Sequence, residues 1–217
     1  MKKLSFIFIQ YMLFSFLFGN NPIAEIIKID GDANIIPFKT DQIPSIIIPG
    51  RSIYNKDILR SSINSNIIIK MKNNNLTINI TGLSETKLEC DDDNCIIILN
   101  YGNLFLKCAK IKNNINYLIT NNSKITLDNN EIWITSSLTN KNKIYAINGS
   151  VNISYKNSTT ILTIGKMFSS NEDESPIVKN ITKRSLPKKL WYRLINNQNP
   201  SNKNLPFTVM NIFSNDS

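Results

Sequence analysis

Residues Ile29–Ile35 read IDGDANI, and the chain repeats this pattern as INGSVNI at Ile147–Ile153. In each copy a glycine, Gly31 or Gly149, separates two runs of alternating apolar residues. A tight turn between strands needs a residue that tolerates a positive φ angle, and glycine does so at no steric cost. Each copy therefore predicts a strand, a turn and a strand. The repeat predicts an all-β body whose final strand pair lies beside its first and closes the sheet.

Short β-branched runs continue between and around these copies from residue 25 to residue 164, spaced by about ten residues. The predicted strands are 25–29, 33–38, 51–59, 66–71, 76–80, 86–90, 95–99, 103–109, 116–120, 124–127, 131–135, 143–147, 151–155 and 159–164. Glycines, Asn-Asn pairs or Asp clusters separate nearly all of them, and no helix of useful length fits before residue 180. The pattern is typical of a β-roll, a short β-solenoid or a jelly-roll-like sandwich of many short strands. Five glycines are predicted to occupy turns: Gly31, Gly50, Gly102, Gly149 and Gly165.

The two ends of the chain differ from this body. Residues 1–19 carry two lysines followed by an apolar run, which is the pattern of an export signal, with an uncleaved membrane anchor as the alternative. Residues 169–217 form a C-terminal extension, with one short helix at 186–196, a loose tail and a possible last strand at 207–213. The predicted helix places five apolar residues on one face: Leu186, Leu190, Trp191, Leu194 and Ile195.

The net charge of +9 is spread through the loops and forms no stripe. No aromatic platform of a nucleic-acid module accompanies it, and export further argues against nucleic acid as a partner. The expected partner is another envelope protein or a polymer in the periplasm or outer envelope of a bacterium. Contact with a membrane is expected only if the export signal is retained as an anchor.

The chain contains no histidine, which removes His-based catalytic triads and most zinc sites. Dense acidic clusters occur at 91–93 and 172–174, but general acid and base catalysis needs two carboxylates that meet across a cleft. Calcium could use the oxygens of residues 91–94, although a solvated turn explains them more simply. The side chains of Trp133 and Trp191 are expected to pack in a core. We therefore expect no enzyme, no cofactor and no metal site.

Three cysteines in an exported chain allow one internal disulfide and leave one thiol free. A two-residue turn at residues 92–93 would place Cys90 opposite Cys95, and a two-residue turn at 101–102 would place Cys108 opposite Cys95. Alternation puts Cys108 on an apolar face, where a free cysteine behaves as a small hydrophobe. This favours the pair Cys90 and Cys95, with Cys95 and Cys108 as the alternative.

The order of these units resembles the FecR-like periplasmic domain, a family named for a bacterial iron-citrate signalling regulator. The family pattern runs from a G-x-V-x-V strand through a G-x-x-[LI]-x-x-x-D unit to a closing G-x-V-x-V unit, and the resemblance covers residues 25–168. The matching segments, in order, are Gly31–Ile35, Gly50–Ser61, Ser65–Ile69, Leu76–Ile78, Leu99–Leu104 and Gly149–Ile153. The resemblance implies an exported β domain that binds a partner.

The sequence also departs from this family in two ways. The cytoplasmic segment that binds a sigma factor and the membrane span that follows it have no counterpart here, and residues 128–133 replace the R-G-T-x-F stretch. The leading interpretation is therefore a non-catalytic binding or structural module of the bacterial envelope. The alternative is a component that acts in trans in an envelope-to-sigma-factor signalling system. An enzyme acting on envelope glycans is a third, weaker hypothesis.

Overall fold

The computed structural model describes residues 21–38, 43–72, 75–91, 94–109, 115–172 and 174–182. Strands make up 69% of these residues, and none of them is helical, which confirms the predicted all-β class. No helix in this described part is long and apolar enough to cross a membrane. The predicted export signal at 1–19, the helix at 186–196 and the possible strand at 207–213 lie outside the described residues.

Sixteen strands follow one another along the described chain. They are β1 (Ala24–Asp30), β2 (Ala33–Ile36), β3 (Ser45–Ile46), β4 (Ser52–Ile53), β5 (Ile58–Ser61), β6 (Asn66–Met71), β7 (Leu76–Cys90), β8 (Asn94–Cys108), β9 (Ile115–Ile119), β10 (Ser123–Leu127), β11 (Asn130–Ser136), β12 (Asn142–Asn148), β13 (Val151–Tyr155), β14 (Ser158–Leu162), β15 (Lys166–Asn171) and β16 (Glu174–Asn180).

These strands form one hydrogen-bonded sheet that is folded over into two layers, because β7 and β8 are long enough to run through both. Layer A has the order β3-β2-β5-β7-β8-β9-β10-β13-β14, and layer B has the order β4-β1-β6-β7-β8-β11-β12-β15-β16. Only β8 and β9 pair in parallel among the described strands. Apolar residues of both layers share one buried core. Tyr155 of layer A, for example, meets the ring of Phe168 of layer B edge-on, with their centroids 6.0 Å apart.

The chain changes layer at a line of sharp corners, and all six described glycines lie there with positive φ. Gly102 shows why glycine is required, because its φ is 108° and an added Cβ would collide with Ser84 of the neighbouring strand. The corners at Gly31 and Gly149 likewise press against the next corner along the line. An added Cβ at Gly31 would lie 2.9 Å from Ser65 Oγ, and one at Gly149 would lie 2.5 Å from the Asn129 carbonyl oxygen.

The predicted closure of the body by its two repeated units is wrong. Ile29–Ile35 and Ile147–Ile153 occupy equivalent corners, but they lie five strand spacings apart in layer B, which is about 24 Å. The sheet is not closed. The repeat reflects a local requirement, since each copy is a corner at which a strand pair changes layer through a glycine with positive φ.

Two pairs of runs predicted as separate strands are each one continuous strand. Residues 76–80 and 86–90 are the two halves of β7, and 95–99 and 103–109 correspond to the two halves of β8. The residues at 101–102 bend β8 from layer A into layer B and do not reverse its direction. The sheet also continues through β15 and β16 to Asn180, beyond residue 168, where the sequence resemblance ended.

Candidate binding edge

An open sheet has edge strands, and the described strands leave four: β3 and β14 in layer A, and β4 and β16 in layer B. An edge strand presents a row of unpaired backbone N–H and C=O groups that can pair with another chain. Proteins use this property to bind extended peptide segments as additional strands. The chemistry of each edge therefore decides where a protein partner could bind.

Three of the four edges carry features that discourage such pairing. Strands β3 and β4 are two residues long, and Pro44 and Pro49 flank β3. Strand β16 contains Pro176 and is charged at Glu174 and Lys179. Short length, proline and charge are the usual means by which edge strands avoid pairing with other chains.

Strand β14 has none of these protections. Its sequence, STTIL, contains no proline, glycine or charge, and its β-branched residues favour an extended backbone. Leu162 is buried in the core, whereas Ile161 is 65% exposed on the outer face. Strand β14 pairs with β13 along its whole length, and among the described residues no backbone hydrogen bond reaches its other side. Strand β14 is thus the unprotected edge of the described sheet.

A groove of about 420 Å³ opens beside the first residues of β14 and β16. Residues 155–158 of the β13–β14 turn line one side, and residues 174–176 line the other. Two contacts hold these turns together: the Tyr155 hydroxyl donates to the Asn171 carbonyl at 2.8 Å, and Lys156 Nζ donates to the Glu172 carbonyl at 2.8 Å. The groove gives β14 a concave flank in which side chains of a paired segment could be held.

Polar side chains link neighbouring turns on the same side of the molecule as this groove. Asn140 Nδ2 donates to Glu172 Oε2 at 2.6 Å, and Asn121 Nδ2 donates to Asn140 Oδ1 at 2.8 Å. Asn142 Nδ2 donates to Thr120 Oγ1 at 2.8 Å, which joins layer B to layer A. The asparagines of these loops therefore link the neighbouring turns on this side of the molecule.

The cysteines are placed by the hairpin between β7 and β8. Cys90 and Cys95 lie opposite each other and form a disulfide, with 4.2 Å between their Cα atoms, which is the pair that the sequence analysis favoured. Cys108 is free and buried, and lies opposite Leu76 and Asn130 rather than Cys95. Burial raises the pKa of the Cys108 thiol. This thiol packs in the core with Leu104 and Leu106, so it is shielded from reagents.

Several of the described acidic residues have structural partners. Asp57 is 3% exposed, and its carboxylate accepts hydrogen bonds from the backbone N–H groups of Phe38 at 3.2 Å and Tyr54 at 2.9 Å. Asp91 accepts from the Asn94 N–H at 2.6 Å within the β7–β8 turn, whereas residues 92–93 lie outside the described part. The described residues contain no group of three acidic or cysteine side chains that could hold a metal ion.

Comparisons with known proteins found structures of similar fold but no matching family. No protein-family model matches the chain, and no curated protein matches it, so the FecR-like resemblance stays a prediction. Two crystal structures of a candidate anti-sigma factor from Parabacteroides distasonis ATCC 8503 are similar in fold, each with a TM-score of 0.52 and 9% sequence identity. Each match covers 57% of this chain and 59% of the other protein's chain. At 9% identity this similarity shows only that the two proteins share an all-β fold.

Sequence reasoning identified the run that became β14 but not its role as an edge. The run was assigned to residues 159–164, close to the observed 158–162. Its position at the end of layer A depends on the long-range pairing of β10 with β13, which no local pattern reveals. The absence of proline and charge was the available signal, and it becomes informative only once the strand order is known.

Proposed function

We propose that this chain is an exported component of an envelope-to-sigma-factor signalling system, and that it acts by binding another protein. The observation that carries the proposal is the fold it shares with a candidate anti-sigma factor. This likeness supports the signalling alternative more than the purely structural module that the sequence analysis favoured. The fold match covers only part of that protein, so the role of the remaining part is not transferred.

The disulfide is consistent with export. Cysteine pairs persist in oxidising compartments such as the periplasm and are rare in a reducing cytosol. The Cys90–Cys95 bond therefore fits a protein that works outside the cytoplasm, as the apolar N-terminal run predicts. In this proposal the chain does not contact nucleic acid, and it meets the membrane only if its N-terminal segment is retained as an anchor.

Strand addition at β14 is the proposed mode of binding. Main-chain hydrogen bonds to the free side of β14 would supply affinity, and the exposed side chain of Ile161 and the adjacent groove would supply selectivity. The partner is accordingly a protein with an extended, largely uncharged segment. A glycan would not satisfy the unpaired N–H and C=O groups of an edge strand in register.

The proposal is tested by transcription in the native bacterium. Deleting the gene should change the transcript levels of genes that depend on one alternative sigma factor. Ile161→Lys should reproduce this change, because a lysine on an edge strand opposes pairing with another chain. Ile177→Lys is the matched control, since Ile177 is 43% exposed on the already protected strand β16.

Protein level and the thermal midpoint of both variants are measured so that misfolding is recognised. If deletion leaves all sigma-dependent transcripts unchanged, the signalling proposal fails and the plain binding module replaces it. If deletion changes them but Ile161→Lys behaves like Ile177→Lys, the role of β14 is wrong while the signalling role stands.

A further inference from the structure

A row of large side chains crosses the outer face of layer B, on the side away from the core. We define this outer row as Phe105, Trp133, Tyr145 and Met167. Trp133 lies opposite Phe105 on one neighbouring strand and Tyr145 on the other, and Tyr145 lies opposite Met167. Their neighbours in sequence, such as Ile132 and Ile134 around Trp133 and Phe168 after Met167, belong to the core cluster. Because side chains alternate along a strand, the outer row points away from that core.

Three of the four side chains of the outer row are nevertheless buried, and Phe105 is half-buried. Trp133 is 1% exposed, Tyr145 is 2% exposed and Met167 is 9% exposed, although the core cluster includes none of them. Burial also raises the pKa of the Tyr145 phenol. All sixteen described strands lie within the two layers, and layer A covers the opposite face of layer B. No described strand is therefore placed to cover the outer row.

The outer face of layer A provides an internal comparison. Its central outward residues, among them Ile96, Ile98 and Tyr117, are only half-buried, and Ile161 is 65% exposed. Two faces of one folded sheet thus differ sharply in exposure. Burial of the outer row therefore calls for a cover on layer B that layer A lacks and that no described strand supplies.

Length and position favour the C-terminal segment as this cover. The internal gaps contain at most five residues, whereas the outer row spans four strands, or about 14 Å. Only residues 1–20 and 183–217 are long enough to cross it. The described chain ends at Thr182, and the Ile181 N–H donates to the Gly165 carbonyl at 2.7 Å, just before the strand that carries Met167.

The N-terminal segment is less well placed. The chain enters layer B at β1, and β6, β7 and β8 separate that strand from β11, which carries Trp133. Residues 1–19 are also the predicted export signal, so cleavage would remove them from the mature protein. Ile181, in contrast, is itself only 5% exposed where the chain leaves β16, whereas Ile177 and Val178 in β16 are more than 40% exposed.

We propose that residues 183–217 dock on the outer row and bury it, through the apolar face of the helix predicted at 186–196. That face carries Leu190, Trp191 and Leu194 within an otherwise basic stretch, and a stripe of this kind needs an apolar surface to pack against. The outer row supplies such a surface, with three aromatic side chains and a thioether side by side. This docking is independent of the proposed signalling function.

The two tryptophans of the chain make the docking measurable. In the full-length Trp191→Phe variant, Trp133 is the only tryptophan, and its fluorescence should be blue-shifted and poorly quenched by acrylamide. Adding Leu190→Asp and Leu194→Asp should raise the quenching constant several-fold and shift the emission to the red. Lys189→Asp, on the opposite face of the predicted helix, is the matched control. It should leave the quenching constant and the emission wavelength unchanged.

A second measurement covers the case in which the double aspartate variant fails to fold. A nitroxide attached to Arg193→Cys in the Trp191→Phe background should strongly quench Trp133, because such quenching needs close approach. The same label on Lys156→Cys, near the groove, should not. The proposal is overturned if the Arg193 label leaves Trp133 bright, or if removing residues 1–20 exposes Trp133 while the C-terminal substitutions do not.

Discussion

Replacing Gly102 by alanine tests the idea that the corners of the folded sheet are set by glycine. Gly102 has a φ of 108°, which L-residues rarely adopt, and holding alanine there costs about 1 to 3 kcal/mol. The new Cβ would also lie 2.5 Å from Ser84 Cα, which is far inside van der Waals contact. Forcing one extra carbon into such a space adds about 1 to 3 kcal/mol.

The same substitution disturbs a hydrogen bond. Ser84 Oγ accepts from the Asn103 N–H at 2.9 Å and donates to the Thr81 carbonyl at 2.9 Å, so it ties the bends of β7 and β8 together. Displacing the Ser84 side chain would weaken these bonds at a cost of about 1 kcal/mol. Gly102→Ala should therefore lower the free energy of unfolding by about 3 to 7 kcal/mol, a large part of the 5 to 15 kcal/mol typical of a domain.

Gly50→Ala is the matched control. Gly50 has a φ of 81°, but an added Cβ would meet no atom within 4 Å. Its cost should be limited to the backbone term, about 1 to 2 kcal/mol. Urea unfolding followed by circular dichroism gives both values. Equal losses for the two variants would show that the close approach to Ser84 is not what makes glycine necessary, and the corner argument would fail.

Three further predictions concern stability. Asp57→Ala should cost about 2 to 4 kcal/mol in urea unfolding, because two backbone N–H groups lose a charged acceptor, and Asp57→Asn should cost less; equal losses would contradict this. Burial raises the pKa of the Cys108 thiol, so the folded state holds the thiol proton more tightly than the unfolded chain does; stability should fall as pH rises above the unfolded thiol's pKa of about 8.5, and less steeply in Cys108→Ala. If stability fell equally steeply with pH in the two proteins, Cys108 would not be the source of the pH dependence. Replacing Cys90 and Cys95 by serine should cost about 2 kcal/mol, and an unchanged urea midpoint would argue against the bond.

Much of the local structure follows from short-range patterns. The alternation of apolar residues predicted strands such as β6, β10 and β13 within one or two residues of their observed bounds. Cys90 and Cys95 could be paired because the turn between them is short, and short turns leave little freedom in register. Cys108 could be assigned to the core because it alternates in step with Leu104 and Leu106.

The errors share one physical cause. A glycine with positive φ can end a strand in a hairpin or bend a continuous strand into another layer, and the residues around it look alike in both cases. Gly102 was taken for part of a hairpin turn, whereas it bends β8 between layers A and B. The repeated units at Gly31 and Gly149 were taken for neighbours, whereas each is a corner of the same kind at a different place along the fold line.

The sequence by itself determined what depends on neighbouring residues: the all-β class, the positions of most strands and the cysteine pair. Strand order decided the rest, because it depends on contacts between residues far apart in the chain. Only the tertiary structure shows that the sheet is folded and open, that β14 is its unprotected edge, and that Trp133 points away from the core yet is buried. Whether an edge or a face is exposed depends on which other segments pack against it, and those segments can be far away in the sequence.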